Sequence, residues 1–230
     1  MKSVPAAVVV VLGPPASGKT SVAVALAACG AAVFRPREAA RRLAQTEPII
    51  AALLDPGRGP AGELPDLLAH DLARTAIDSA AGRPVVLEGY PRNAAQAELL
   101  KRCVRSRGRR LCVIELTARP GTLAARLARR RACPVCSAMP AGSPEPGGAA
   151  SGPGRCADCD VPLVVRDTDR GEHAEQRFAH YAQHLAAIRA VLADGDPTAW
   201  HTLTTDPGSP DASTCVLDLL PAPAGNGRGL

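Results

Sequence analysis

Short, continuous runs of apolar residues recur along the chain, and they do not alternate with polar residues. Such runs are typical of strands that are buried on both faces of a sheet. Three clear runs predict strands over residues 7–12, 84–87 and 111–116. Two weaker runs predict further strands over residues 31–34 and 199–203.

Stretches with helical spacing lie between these apolar runs. The clearest covers residues 172–192, in which apolar side chains recur every three or four positions. Further helices are predicted over residues 21–29, 67–79 and 122–131. Strands that alternate with helices indicate an α/β fold with a parallel sheet covered on both faces. We therefore expect a three-layer α/β/α architecture around a five-stranded parallel sheet.

Composition narrows the classes of protein that fit this pattern. With 46% hydrophobic and 21% charged residues, the chain is globular and not intrinsically disordered. The net charge is +5, and almost all positive charge is arginine, because lysine occurs only at positions 2, 19 and 101. No apolar run approaches the roughly 20 residues that cross a bilayer. The first residues lack the cleavage site of a secretory signal, so we expect a cytoplasmic protein.

A glycine-rich loop follows the first predicted strand. Gly13, Gly18, Lys19 and Thr20 form the pattern G-x-x-x-x-G-K-T between that strand and a helix. Glycines allow backbone N–H groups to surround phosphates, Lys19 reaches the outer phosphates and Thr20 can hold Mg²⁺. The pattern predicts a site for a nucleoside triphosphate. The expected contacts are Gly13, Ala16, Ser17, Gly18, Lys19, Thr20 and Ser21.

A second loop, EGYPRNAAQA, begins at Glu88. Glu88 ends a predicted strand, so its carboxylate lies at the carboxyl edge of the sheet, beside the phosphate loop, where an acid can organise Mg²⁺. Arg92 is expected to project into the same crevice. Gln96 follows one helical turn later, and its amide has both a donor and an acceptor with which to bind a base edge.

Four cysteines form two C-x-x-C pairs, which are Cys133 with Cys136 and Cys156 with Cys159. Two such pairs in a cytoplasmic chain favour a closed Cys₄ site for structural zinc, with iron as an alternative metal. Disulfides and chance remain the other interpretations. The 19 residues between the pairs are rich in Gly, Pro, Ala and Ser, so the metal would be the main stabilising element of this segment.

The phosphate loop together with EGYPRNAAQA resembles the adenylate kinase family of nucleoside monophosphate (NMP) kinases. The resemblance covers about residues 8–192 and implies three parts. A P-loop core would comprise residues 1–35, 66–130 and 168–220, an NMP-binding insertion residues 36–65, and a zinc lid residues 131–167. Residues 221–230 would be a disordered tail. The resemblance also implies ATP with Mg²⁺ and a nucleoside monophosphate, first of all AMP, as the substrates of a monomer.

The resemblance assigns roles to individual residues as well. It implies that Arg41 and Arg92 bind the monophosphate, that Gln96 contacts its base, and that Arg126 packs on the donor adenine. It places Arg130, Arg166 and Arg177 around the transferred phosphoryl group, with Arg166 and Arg177 also on the acceptor. Asp169 in the lid-exit motif joins Thr20 and Glu88 as a magnesium-organising residue. The catalytic set is then Lys19, Arg92, Arg130, Arg166 and Arg177.

Several positions depart from the family pattern. Residues 35–38 read Arg-Pro-Arg-Glu where the family has Ser-Thr-Gly-Asp, Glu88 replaces Asp, and Thr168 replaces an acid. These changes keep three alternatives open: another nucleotide acceptor, a non-nucleotide acceptor, and an ATP- and zinc-binding sensor without transfer activity. An RNA-binding role is disfavoured, because only five aromatic residues are available to stack on bases.

Overall fold

We analysed a computed structural model of the chain, which describes residues 7–54, 64–134, 154–156, 160–165, 167–193 and 199–219. Five parallel strands form one sheet in the order β2-β3-β1-β4-β5. The strands are β1 (Ala7–Leu12), β2 (Ala32–Phe34), β3 (Val85–Glu88), β4 (Arg110–Thr117) and β5 (Ala199–Thr204). The predicted α/β fold with a five-stranded parallel sheet is confirmed.

Helices connect the strands. They are α1 (Lys19–Ala28), α2 (Pro36–Leu43), α3 (Pro48–Leu53), α4 (Asp66–Ser79), α5 (Ala94–Ser106), α6 (Pro120–Arg129), α7 (Gly171–Ala193) and α8 (Ala212–Leu219). A short 3₁₀ turn, Asp167–Asp169, precedes α7. Parallel strands require such crossovers, because the chain must return to the same edge of the sheet before each new strand.

The two faces of the sheet carry separate apolar clusters. In β1, Val8 and Val10 face a cluster formed with α4, α5 and α7, whereas Val9 and Val11 face a cluster formed with α1 and α8. All four valines are fully buried. Successive side chains of a strand point to opposite faces, so a continuous valine run can fill both clusters at once. This arrangement explains why the strands lack polar alternation.

Four helices were not among the explicit sequence predictions: α2, α3, α5 and α8. Two of them begin with a proline, Pro36 in α2 and Pro48 in α3. A residue at the first helical position has no intrahelical acceptor for its N–H group. Proline, which has no N–H group, therefore loses no hydrogen bond there, and these two prolines start helices without interrupting them. In α5 the side chain of Asn93 caps the helix by accepting the N–H of Gln96 at 2.9 Å.

At the amino end of the sheet, Arg109 connects three segments of chain. Its guanidinium donates to the carbonyl of Ile77 at 3.1 Å, to that of Ala7 at 3.4 Å and to that of Arg83.

The described helices include none that is both long and apolar enough to cross a membrane. In parallel α/β sheets, ligands bind at the opposite, carboxyl end of the strands, which is where the polar motifs of this chain lie.

Candidate functional site

The loop between β1 and α1 has a backbone shape that depends on glycine. Gly13 has φ +151° and Gly18 has φ +90°. A Cβ on Gly13 would lie 2.3 Å from Oγ of Ser17 and 2.8 Å from the carbonyl oxygen of Leu116, so a larger residue does not fit there. Ser17 is fully buried, and its Oγ has no hydrogen-bond partner within the described residues. A buried polar atom of this kind fits a loop that receives a polar ligand.

Lys19 lies at the start of α1, where the first backbone N–H groups have no intrahelical acceptor. The preceding residue, Gly18, has no side chain with which to cap them. The Lys19 ammonium donates to the carbonyls of Gly13 and Pro14, each at 2.7 Å. Free N–H groups, the helix dipole and a lysine therefore converge on one loop, which is the arrangement that binds phosphate.

Glu88 lies at the carboxyl end of β3, next to this loop. Its Oε1 accepts the hydroxyl of Thr20 at 2.5 Å, and its Oε2 accepts Nε–H of Arg35 at 2.6 Å. The side chain is only 11% exposed. Glu88 thus lies beside the phosphate loop, and its role in organising Mg²⁺ stays a prediction; the ion pair with Arg35 was not predicted from the sequence.

Residues at the start of α5 form a hydrogen-bonded group with the start of α4. The Gln96 amide accepts the backbone N–H of Arg92 at 2.8 Å through Oε1 and donates to Asp66 at 2.8 Å through Nε2. Asn93 also donates to Asp66, at 3.0 Å. Gln96 is 3% exposed, so each half of its amide already has a partner in the protein. This geometry makes Gln96 a brace for the loop that carries Arg92, and a contact with a base stays a prediction.

Two arginines from different helices meet at Asp169. The carboxylate of Asp169 is fully buried; it accepts a hydrogen bond from Arg177, and Nε of Arg130 lies 3.5 Å from its Oδ2. Arg130 directly follows α6 and Arg177 is part of α7, so Asp169 holds these elements together. Both of its oxygens face arginines. This position favours a role in placing cations over the predicted role in organising Mg²⁺.

The charges of these groups act on one another. Burial lowers the pKa of Lys19 to about 7; Glu88 acts in the opposite direction, and the positive charges of Arg130, Arg177 and Arg92 lower the pKa further. Burial likewise lowers the pKa of Arg130, with Asp169 opposing the shift. Coulomb interactions of this kind require proximity. The predicted cations Lys19, Arg92, Arg130 and Arg177 therefore share one crevice.

Arg126 is fixed by a residue that the sequence analysis did not identify. Its guanidinium donates to the hydroxyl of Thr205 at 3.0 Å and to the carbonyl of Thr205 at 2.5 Å. The same hydroxyl lies 3.3 Å from the carbonyl oxygen of Ser17 in the phosphate loop. Arg126 thus lies beside the loop. The available signal was the polar TTD segment directly after a predicted strand, at the carboxyl edge where ligands bind.

Some predicted site residues are not joined to this crevice. Arg41 lies on α2 with an exposed side chain. Arg166, Cys136 and Cys159 lie outside the described residues. The other two cysteines of the predicted metal site, Cys133 and Cys156, are 2% and 6% exposed.

Comparison with known proteins bears on the family of the chain. A family model described as an AAA domain matches residues 8–137, more than half of the 230 residues. An adenylate kinase of Anaeromyxobacter sp. (strain Fw109-5) is 30% identical over 198 residues, which cover 79% of this chain and 85% of that protein. The chain belongs to the adenylate kinase family. An adenylate kinase of Halobacterium salinarum is 33% identical over 146 residues, covering 59% of this chain and 62% of that protein.

Membership of the adenylate kinase family agrees with the geometry of the crevice. An adenylate kinase of Anaeromyxobacter dehalogenans aligns over 81% of this chain and 87% of its own length at 26% identity. The similarity therefore extends well beyond the phosphate loop and includes the segments that supply the arginines. Together, the family and the site support a nucleotide kinase.

Proposed function

We propose that the protein is a nucleoside monophosphate kinase that transfers a phosphoryl group reversibly from ATP·Mg²⁺ to a monophosphate, with AMP as the leading acceptor. The observation that carries the proposal is that the phosphate loop with Lys19 bonds through Thr20 to Glu88, at the end of the strand that leads to Arg92. Arg130 and Arg177 share Asp169, and the charges of all three arginines act on Lys19. A site that only binds ATP has no need of arginines from three separate segments. A transfer site needs them, because the migrating group carries spreading negative charge.

Each cation has a separate task in this proposal. Lys19 and the amino end of α1 bind the phosphates of the donor. Arg92 binds the phosphate of the acceptor, and Gln96 holds the backbone of that loop in place by accepting the N–H of Arg92. Arg130 and Arg177 stabilise the group in transit. Phosphoryl transfer leaves the protein little covalent work, so alignment and charge stabilisation carry the rate enhancement.

The residues at the phosphate loop fit a magnesium ion. The Thr20 hydroxyl donates a hydrogen bond to Glu88, so the lone pairs of the Thr20 oxygen are available to a metal ion. Glu88 supplies a carboxylate of the kind that hard cations prefer. When bound, the ion would neutralise charge on the donor phosphates. The chain itself contributes the orientation of Thr20, which Glu88 fixes from the neighbouring strand.

We also propose that Cys133, Cys136, Cys156 and Cys159 hold structural zinc in a lid over residues 131–167. Two observations support this. Cys133 and Cys156 are buried, and the segment of each pairs with residues 162–164 through a short antiparallel bridge, Ala132 with Val164 and Arg155 with Pro162. The closing lid would exclude water from the transferred group. Arg166 and Arg41 complete the proposed acceptor side, and we propose the same core bounds and the same insertion, residues 36–65, as the sequence indicates.

A coupled assay tests the proposal. Purified protein with ATP and Mg²⁺ should phosphorylate at least one of AMP, GMP, CMP, UMP and dTMP, with AMP the best. Metal analysis of the same preparation should find one zinc per chain. Absence of turnover with all five acceptors would reject the kinase proposal, and absence of metal would reject the zinc lid independently.

A different acceptor is the second candidate, and two observations favour it. Pro36 occupies the start of α2, at a position where the family has threonine, and both halves of the Gln96 amide bond within the protein. In the same assay this candidate predicts turnover with an acceptor other than AMP. ATP binding without any turnover would instead favour the sensor.

A further inference from the structure

The carboxylate of Glu88 has a partner on each oxygen, and the two partners come from different sides of the site. Thr20 belongs to α1, on the phosphate side, and donates to Oε1 at 2.5 Å. Arg35 directly follows β2, on the side of the insertion, and donates to Oε2 at 2.6 Å. The Arg35 guanidinium therefore already occupies one oxygen of Glu88, the acid that we propose organises Mg²⁺.

Arg35 is not held by Glu88 alone. Nη1 of Arg35 lies 3.3 Å from Oε2 of Glu38 in α2. Glu38 also pairs with Arg42, one helical turn later. Burial opposes ionisation of Arg35, but Glu88 and Glu38 outweigh it and raise the pKa of Arg35. A line of four alternating charges thus runs from Glu88 through Arg35 and Glu38 to Arg42 in α2.

A guanidinium and a divalent cation compete for the same carboxylate. Arg35 neutralises Glu88 by a direct charge-assisted bond, which lowers the attraction that Glu88 exerts on a metal ion. It also brings a positive charge to the place where a second positive ion would have to bind. The Arg35 side chain is 33% exposed, so it has room to leave Glu88.

We propose that Arg35 is a positioning residue that competes with Mg²⁺ for Glu88 and thereby sets how strongly nucleotide binding depends on the metal. Without the metal, Arg35 keeps Glu88 neutralised and turned towards Thr20. When Mg²⁺ is bound, Arg35 gives up part of its contact with Glu88. Glu38, the second partner of Arg35, then holds the Arg35 side chain near α2. The inference rests on the proposed function only through ATP binding at the phosphate loop.

The test measures the dissociation constant of a non-hydrolysable ATP analogue with and without Mg²⁺ by calorimetry. We define the magnesium factor as the dissociation constant without Mg²⁺ divided by the constant with Mg²⁺. This factor is compared between wild type and Arg35→Gln. We expect the factor to rise on the order of tenfold in Arg35→Gln, because the competing cation is gone. Arg35→Lys, which keeps the charge, should stay close to wild type.

A matched control removes a neighbouring arginine from the same line of charges. Arg42 is 76% exposed and pairs with Glu38 but not with Glu88, so Arg42→Gln should leave the magnesium factor unchanged. Combining Arg35→Gln with Glu88→Gln should remove the gain, because the effect acts through the Glu88 carboxylate.

The outcomes separate this inference from its rivals. If Arg35 only anchors α2, Arg35→Gln lowers thermal stability and leaves the factor unchanged, which would overturn the inference. If Arg35 instead binds the acceptor, the acceptor KM changes while the factor stays constant, and the inference is again overturned. A raised factor in a protein that transfers no phosphoryl group would refute the kinase proposal alone. Absence of ATP binding by the wild type would overturn both.

Discussion

Glu88 and Asp169 are two acids of one crevice, and their surroundings differ. Asp169 is fully buried between Arg130 and Arg177. Glu88 is 11% exposed and divides its oxygens between a hydroxyl and an arginine. Removing one partner from a largely buried ion pair leaves a poorly compensated charge, whereas a partly exposed carboxylate can exchange partners at lower cost. The comparison suggests one acid that maintains the positions of cations and another whose partners change during function.

Neutralising each acid separately gives the largest expected contrast. Asp169→Asn leaves two guanidinium groups side by side without their counter-charge, so we expect a loss of about 3–5 kcal/mol in the free energy of unfolding. Glu88→Gln loses charge-assisted bonds at a wetter site, so we expect about 1–2 kcal/mol. Urea unfolding of the unliganded protein measures both values.

The two substitutions remove the same chemical group, so each serves as the control for the other. Equal losses of stability, or a larger loss in Glu88→Gln, would contradict the division of tasks between the two carboxylates.

Arg92 extends the comparison to catalysis, because it acts on the acceptor side of the crevice. Arg92→Ala should lower kcat/KM on the order of 100-fold, since the interaction it provides is strongest when charge develops on the transferred group. ATP binding, measured separately, should persist. The control is Arg102→Ala in the following helix, α5. Arg102 is 67% exposed and pairs only weakly, at 4.0 Å, with Glu98. Similar kcat/KM values for the two variants would refute the role of Arg92.

The smallest expected effect is the uptake of a proton by Lys19 when ATP binds. This uptake depends on the burial of Lys19 and on the charges around it. Burial lowers the pKa of Lys19 to about 7 in the unliganded protein, below the ordinary value of 10.5. Phosphates should raise it again, so ATP binding should take up close to one proton at pH 8.5 and almost none at pH 5.5. Calorimetry in buffers of different ionisation enthalpy measures this uptake.

The same shift has a consequence for stability. Between pH 7 and 10.5 the unfolded chain binds the lysine proton and the native chain does not, so this group makes stability rise with pH across that window and contributes a constant penalty below it. Arg102→Ala, which removes an exposed charge of α5, should show the same proton uptake as wild type. Absence of uptake at pH 8.5 would mean that Lys19 is already charged in the free protein.

The sheet and much of the crevice could be predicted because their signals are local. Apolar runs, three of them clear and two weaker, identified all five strands, and the G-x-x-x-x-G-K-T pattern placed Lys19 and Thr20 beside the end of the first one. Helices α2, α3 and α8 are short, at eight, six and eight residues, and offer too few turns for a clear periodicity.

The charge contacts could not be predicted in the same way. The contact between Arg35 and Glu88 joins residues 53 positions apart, at the ends of neighbouring strands. It depends on the order of the strands in the sheet, which apolar runs do not reveal. The Arg126–Thr205 and Asp66–Gln96 contacts also cross between distant segments.

The buried apolar contacts of helix α7 lie near its carboxyl end, whereas a polar contact, Arg177 with Asp169, holds it near its amino end. Its buried residues, Ile188 and Leu192, lie in the last two turns, and Lys101 bonds the carbonyl of Val191 at 2.8 Å. Arg177 lies eleven residues before Ile188, which is about 16 Å along the helix axis at a rise of roughly 1.5 Å per residue. The position of its charge therefore depends both on Asp169 and on the stiffness of the intervening turns, so we expect Ala182→Gly to lower the proposed phosphoryl transfer although Ala182 is not a site residue.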